Sequence, residues 1–192
     1  MKKLFFCTYI FISLTTLAQW NSNNSINTGV AIAPKSQNNV HTISDSNNGI
    51  IMVWDDNRND ATTKDDIYVQ RFNSSGVRKW TLYGVNICSA ANAQKNSTIA
   101  DVGNGNAIIT WEDRRDGNHD VYAQKIDSLG NILWTTNGVA VCNKTTTQKS
   151  PKIVSDNAGG AIIVWEDSLN FYWDIYAQRI SSAGAIMWTT GG

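Results

Sequence analysis

Two stretches, Ala107-Ile108-Ile109-Thr110-Trp111-Glu112-Asp113 and Ala161-Ile162-Ile163-Val164-Trp165-Glu166-Asp167, decide the fold. From these starting points residues 107–136 and 161–190 align without a gap and share 17 of 30 positions. Identity of that order within one chain is duplication, and a fixed period marks a repeat architecture. An earlier copy opens at Ile50-Ile51-Met52-Val53-Trp54. Trp80, Trp134 and Trp188 lie 54 residues apart, as do Asp66, Asp120 and Asp174, and likewise Tyr68, Tyr122 and Tyr176. Trp54 and Trp111 are 57 apart because the first copy holds three extra residues between Asn57 and Asp65. Loops absorb insertions, so a turn lies there.

Each copy divides into short strands. In the third, residues 152–155, 161–165, 174–180 and 185–188 read as four strands, separated by Asp156-Asn157-Ala158-Gly159-Gly160, an acidic loop and Ser182-Ala183-Gly184. The run 161–165 is apolar without alternation, which suits a strand covered on both faces. A fifth piece, Gly138-Val139-Ala140-Val141-Cys142, extends the outer edge or bridges to the next unit. The expected fold is all-β: a partial β-propeller of about three four-stranded antiparallel blades with a 54-residue repeat. The expected divisions are 19–35 as the outer strand of a partial blade, then blades at 36–88, 89–142 and 143–192. Propellers close with about 4 to 8 blades. Two readings follow: a truncated chain that continues into further blades, or an arc that associates with itself. Gly29-Val30-Ala31-Ile32-Ala33 matches the piece 138–142, in the phase by which a propeller joins its first strand to its last blade.

The N-terminus reads as an address. Lys2 and Lys3 precede an apolar run over 4–17 that ends in Thr16-Leu17-Ala18, the pattern of a secretory signal peptide over 1–18 with cleavage near Ala18. The run is shorter than the roughly 20 residues of a membrane span, so no transmembrane segment is expected in the mature chain, and its destination is secreted or cell surface. Sixteen Lys and Arg against sixteen Asp and Glu give zero formal charge, which excludes a basic nucleic-acid binder. Eight Trp and fourteen Gly against two Pro suit aromatic strands joined by tight turns.

A family resemblance rests on these same residues. The order Ser155-Asp156-x-x-Gly159, an apolar strand ending in Trp165, an acidic loop, then Asp174-Ile175-Tyr176-Ala177-Gln178-Arg179 resembles the TolB-like propeller repeat. Arg58, Arg114 and Arg115 fit the loop of that repeat, while Ser168 and Leu169 depart from it. The copies are also similar to repeats of large secreted bacterial surface proteins. The resemblance implies a propeller and says little about activity, since propellers host many functions.

Candidate sites follow from the pattern. The acidic loops, and Asp113, Asp116 and Asp120 in particular, could offer oxygens to calcium, a hard cation that takes about 6 to 8 of them. Because the loops recur in every copy, turn capping and pairing between blades is the favoured role, and no cofactor is expected otherwise. His41 and His119 fall at non-equivalent positions and are expected at the surface, which leaves zinc unsupported. Cys88 and Cys142 occupy equivalent positions and are expected to be buried without a bridge. Trp54, Trp111, Trp165, Trp80, Trp134 and Trp188 are expected in the packing between blades. Phe171, Tyr172 and Trp173 replace Gly117, Asn118 and His119, and are expected as an aromatic loop that contacts a ligand or partner. The function expected is a secreted, non-enzymatic binding module for protein or carbohydrate. The alternative is the propeller portion of an extracellular hydrolase or lyase whose catalytic residues lie outside this chain.

Overall fold

The computed structural model describes residues 28–169 and 172–192. The expected signal peptide, most of the 19–35 segment and Phe171 lie outside the described residues. Eleven strands occur in chain order: β1 (Gln37–Ser44), β2 (Ile50–Asp56), β3 (Asp66–Phe72), β4 (Val85–Cys88), β5 (Gln94–Asp101), β6 (Ala107–Asp113), β7 (Asp120–Ile126), β8 (Val139–Cys142), β9 (Thr147–Ser155), β10 (Ala161–Leu169) and β11 (Tyr172–Ile180). They form antiparallel sheets of order β1-β2-β3-β4, β5-β6-β7-β8 and β11-β10-β9. These are the first, second and third blades, two of four strands and one of three. The first strands pack on one another, β1 on β5 and β5 on β9, so they converge on an axis and the later strands fan outward. Among the described residues no helix is long and apolar enough to cross a membrane.

The fourth strand differs from expectation. Strands β4 and β8 come from the pieces 85–88 and 139–142, whereas the segments at Arg78, Ile132 and Ile186 touch the third strand through single isolated bridges. A buried glutamine explains the difference. Gln124 Oε1 accepts the amides of Lys125 and Trp134 at 2.9 and 3.1 Å, and its Nε2 donates to the Thr135 carbonyl at 2.7 Å. Gln70 and Gln178 repeat the arrangement. The side chain therefore satisfies backbone groups that a ladder would otherwise pair, and the segment is tied down without becoming a strand.

Packing occurs between blades. Ile51, Val53, Ile67 and Val69 of the first blade meet Ile109, Trp111 and Ile126 of the second. Ile108, Val121 and Ala123 of the second meet Ile163, Trp165 and Ile180 of the third. Each blade thus has a forward face toward its successor and a rear face toward its predecessor. Every residue of β6 is buried, in line with its unbroken apolar run. Strand β10 alternates between buried and partly buried despite a similar sequence, because only its rear face is covered. Residues 28–36 contain no strand, although Val30 and Ala31 pack on Met52, Trp54, Tyr68 and Phe72 at the rear of the first blade.

Tyr172 and Trp173 correct the expectation of an aromatic loop. Strands β10 and β11 run on to a Leu169↔Tyr172 pair, so both aromatics are strand residues. Aromatic side chains favour extended backbone where Gly117 and Asn118 of the second copy make a turn. Both are exposed.

Candidate functional site

The repeated Trp-acid-Asp motif sends its two carboxylates in opposite directions, as alternation along a strand requires. The second turns back on its own blade. Asp113 accepts from Trp111 Nε1 at 2.8 Å and from Arg115 at 2.6 to 2.9 Å, and Asp56 holds Trp54 and Arg58 in the same way. Burial opposes charge on Asp56, but the hydrogen bonds from Arg58 and Trp54 outweigh it and hold its pKa below the ordinary value. Arg58 and Arg115 also lie 3.9 Å above the rings of Tyr68 and Tyr122. In the third copy, where the arginine is lost, Lys144 takes that place above Tyr176.

The first carboxylate reaches the next blade. Asp55 accepts the amides of Asn96 and Ser97 and the Ser97 hydroxyl, at 2.8, 3.2 and 2.7 Å. Glu112 Oε1 accepts the amide of Ser150 at 2.8 Å. The amides are presented by a bulge in each innermost strand, where Asn39, Asn96 and Ser150 have φ of 52°, 54° and 56°. A bulge re-aims the residues around it, and here it turns a row of polar groups toward the axis.

Those groups line a cleft of about 200 Å³ on the axis, formed by Asn39, His41, Asn96, Ser97, Thr98, Ser150, Pro151 and Lys152. All three innermost strands contribute. A second cleft, of about 320 Å³, opens between the first and second blades and is lined by Lys64, Asp65, Lys95, Glu112, Arg114 and His119 among others. Here Lys95 pairs with Asp65 at 3.0 Å, and His119 Nδ1 lies 3.0 Å from Glu112 Oε2. His119 is therefore a half-buried partner of the carboxylate that ties the second blade to the third, and not a surface residue. His41, at the surface as expected, lines the axial cleft. The sequence carried no signal for either cleft, because the strand bulges that shape the axis do not interrupt the polar pattern of β1 and β5.

The remaining candidates are dispersed. Trp54, Trp111 and Trp165 stack on Tyr68, Tyr122 and Tyr176 at centroid distances of 6.2, 6.5 and 6.3 Å. Trp80 and Trp134 donate to the carbonyls of Ser128 and Ser182 in the following blade, each at 3.3 Å. Asp66 and Asp120 are buried, whereas Asp174 is exposed. Burial pushes Asp120 up to about 6, against a hydrogen bond from Asn118 and with help from nearby Asp116 and Asp113. Among the described residues no group of three or more His, Cys, Asp or Glu is arranged to hold a metal ion. Cys88 and Cys142 are buried and free.

No family model and no curated protein matches the sequence. Solved structures do match by shape. One is an alpha-L-arabinofuranosidase from Lactobacillus brevis, with a TM-score of 0.51 and 10% identity over 82% of this chain and 57% of that one. The chain folds as part of a β-propeller. Another is a structure of the GH130 family of mannoside phosphorylases, described as containing glycoside hydrolases that target beta-1,2 mannosidic linkages in Candida mannan. It has a TM-score of 0.49 and 12% identity over 81% of this chain and 52% of that one. The chain spans a little over half the length of these structures.

Proposed function

We propose that the chain is a secreted, non-enzymatic propeller module of the cell surface, built from TolB-like repeats, that binds carbohydrate in its axial cleft. The observation that carries this reading is the lining of that cleft. Asn39, Asn96, Ser97, Thr98 and Ser150 supply neutral donors and acceptors, His41 and Lys152 add two more polar heads, and none of the lining residues is a carboxylate. Convergent neutral hydrogen-bonding groups suit a ligand rich in hydroxyls. Cleavage of a glycosidic bond ordinarily uses a pair of Asp or Glu residues flanking it, so this lining is suited to holding a sugar. The likeness in fold to an arabinofuranosidase supports a saccharide over a protein as the ligand.

Calorimetric titration of the full chain with arabinan oligosaccharides tests the reading. Binding is expected, weakened about fivefold to tenfold by His41→Ala or Lys152→Ala, as loss of one hydrogen bond implies. No heat with arabinan or with mannan fragments overturns it. The second reading, the propeller portion of an extracellular hydrolase, is favoured by the glycosidase identity of the same fold neighbour. That reading places the catalytic residues outside this chain, so the chain alone is expected to bind arabinan and to release nothing from an aryl arabinofuranoside.

A further inference from the structure

The first junction between blades is open at a place where the second is closed. In both, a glutamine amide of the innermost strand donates to the loop of the preceding blade: Gln94 to the Asp65 carbonyl and Gln148 to the His119 carbonyl, each at 2.8 Å. The backbones therefore meet alike, and side chains make the difference. At the second junction Asn118 Nδ2 donates to the carbonyls of Lys144 and Thr146 at 2.8 and 3.0 Å, which stitches the loop of the second blade to the third. Lys64 stands at the position of Asn118, two residues before the repeated aspartate, and makes no such stitch. The gap it leaves is the cleft of about 320 Å³ between the first and second blades.

Positive charge is in excess there. Asp65 is paired with Lys95 at 3.0 Å, while Glu112 gives Oε2 to His119 at 3.0 Å and Oε1 to the Ser150 amide at 2.8 Å. Both carboxylates are thus engaged. The Lys64 ammonium and the Arg114 guanidinium, one from each wall of the cleft, have no partner among the described residues. Asp116, two residues beyond Arg114, does not line the cleft. The chain as a whole carries no net charge, so the excess is local.

Neither cation belongs to the repeat. Arg58 and Arg115 fill the repeat's own arginine place against Asp56 and Asp113, and Arg114 is an addition that aligns with Asn57 in the first copy and Ser168 in the third. What recurs in every copy serves the blade. A pair of cations that occurs once, on the two walls of an open cleft, serves a ligand.

The ligand's chemistry follows from the lining. A guanidinium takes two oxygens side by side and an ammonium adds a point charge, a combination that suits an oxyanion. The volume lies at the low end of the roughly 300 to 1,000 Å³ of small-molecule sites. No Phe, Tyr or Trp lines the cleft among the described residues, so a nucleobase finds no ring to stack on. Asn92, the remaining donors of Lys95 and the second ring nitrogen of His119 are left for hydroxyl groups. The cleft also shares a wall with the axial one: Glu112 joins His119 of the first to Ser150 of the second, and Lys95 and Asn96 are consecutive.

We propose that this cleft binds the oxyanion of an acidic sugar residue, a uronic acid carboxylate or a sulfate ester, through Arg114 and Lys64. The sugar rests on the carbohydrate reading of the axial cleft; the oxyanion does not.

Calorimetric titration of the full chain with trigalacturonate and with a sulfated galactan trisaccharide reads the outcome, and the tighter of the two identifies the acid. Binding is expected to weaken about tenfold in Arg114→Ser and about fivefold in Lys64→Asn, as loss of a charge-assisted hydrogen bond implies. Both variants take the residue of a sister copy, and an unchanged near-ultraviolet circular dichroism spectrum is expected of each. Binding should also fade as salt rises from about 0.01 M to about 1 M, while arabinan binding is expected to be the same in both variants as in the wild type. If arabinan gives no heat but an acidic saccharide binds through Arg114, the axial reading falls and this one stands. No heat with either acidic saccharide, or heat that both folded variants leave unchanged, overturns the proposal. Binding of poly-glutamate through Arg114 in place of either saccharide overturns it as well.

Discussion

Asp55 of the first blade accepts the hydroxyl of Ser97 in the second at 2.7 Å, and the amides of Asn96 and Ser97 close on the same carboxylate. One side chain therefore satisfies three donors across the junction. Burial raises the Asp55 pKa, with the Ser97 hydroxyl and the two amides pulling it back.

Replacing Asp55 by Ala strands those donors in a buried place, and the desolvation of unmade hydrogen bonds governs the cost. A loss of about 3 kcal/mol is expected in urea unfolding, against about 1 kcal/mol for Ser97→Ala. The double variant should lose less than the sum, because both changes break one network. Additive losses would show that the carboxylate is not the tie between blades.

Gly138 makes a second contact that recurs along the repeat. Its φ is +85°, and a Cβ there would lie 2.6 Å from Trp111 Cη2 and 2.7 Å from the Ala123 carbonyl. Gly103 has a similar φ of +90° but meets nothing within 4 Å. Gly103→Ala therefore measures the backbone cost alone, about 1 kcal/mol, and Gly138→Ala adds the clash for about 3 kcal/mol in total. Equal losses in thermal unfolding would place the indole elsewhere.

The repeat, its phase and its first three strands were legible because identical residues fall at identical spacing, from Trp111 and Trp165 to Asp120 and Asp174. The fourth strand was not. The segments ending in Trp134 and Trp188 are as apolar as the true strand at 139–142, and only the buried Gln124 and Gln178, polar residues in mid-strand, separate the two. The axial cleft was hidden for a different reason. Its shape comes from the bulges at Asn39, Asn96 and Ser150, and Ser150 stands where the other two copies hold asparagine, so no residue pattern announces a common backbone kink.

Asp120 sets a pH dependence that one substitution isolates. Its folded pKa is about 6 against 3.8 for the free side chain, so the folded chain holds the proton more tightly. Stability from this group is present below pH 4 and is lost as pH rises through 6. Asp120→Asn keeps an acceptor for Asn118 and removes the charge. The variant should match the wild type near pH 4 and exceed it by up to about 3 kcal/mol at pH 8. Urea unfolding at both pH values checks this, and a variant weaker at pH 8 would count against it.

Calcium has little to bind at Asp113. Trp111 Nε1 and the Arg115 backbone and guanidinium already donate to both of its oxygens, while Asn118 donates to Asp120. A hard cation would have to displace them and then collect about 6 to 8 oxygens. Adding a chelator is expected to leave the melting midpoint unchanged. A fall of several degrees, restored by calcium alone, would assign the acidic loops to the metal.

Cys88 occupies the position at which the first blade meets the second. Its Sγ lies 3.4 Å from Arg115 Nη2 and 3.9 Å from Asp113 Oδ2. Burial pushes its pKa up to about 12, with Asp113 adding to the effect against Arg115, and burial raises Cys142 in the same direction. Alkylation proceeds through the thiolate, so neither thiol should react at pH 8 while the junction holds. Peptide mapping by mass spectrometry after iodoacetamide should find both unmodified in the native chain and both modified in urea. If Asp55→Ala opens the junction locally, Cys88 should label before Cys142. Equal labelling of the two would mean that the blades separate together.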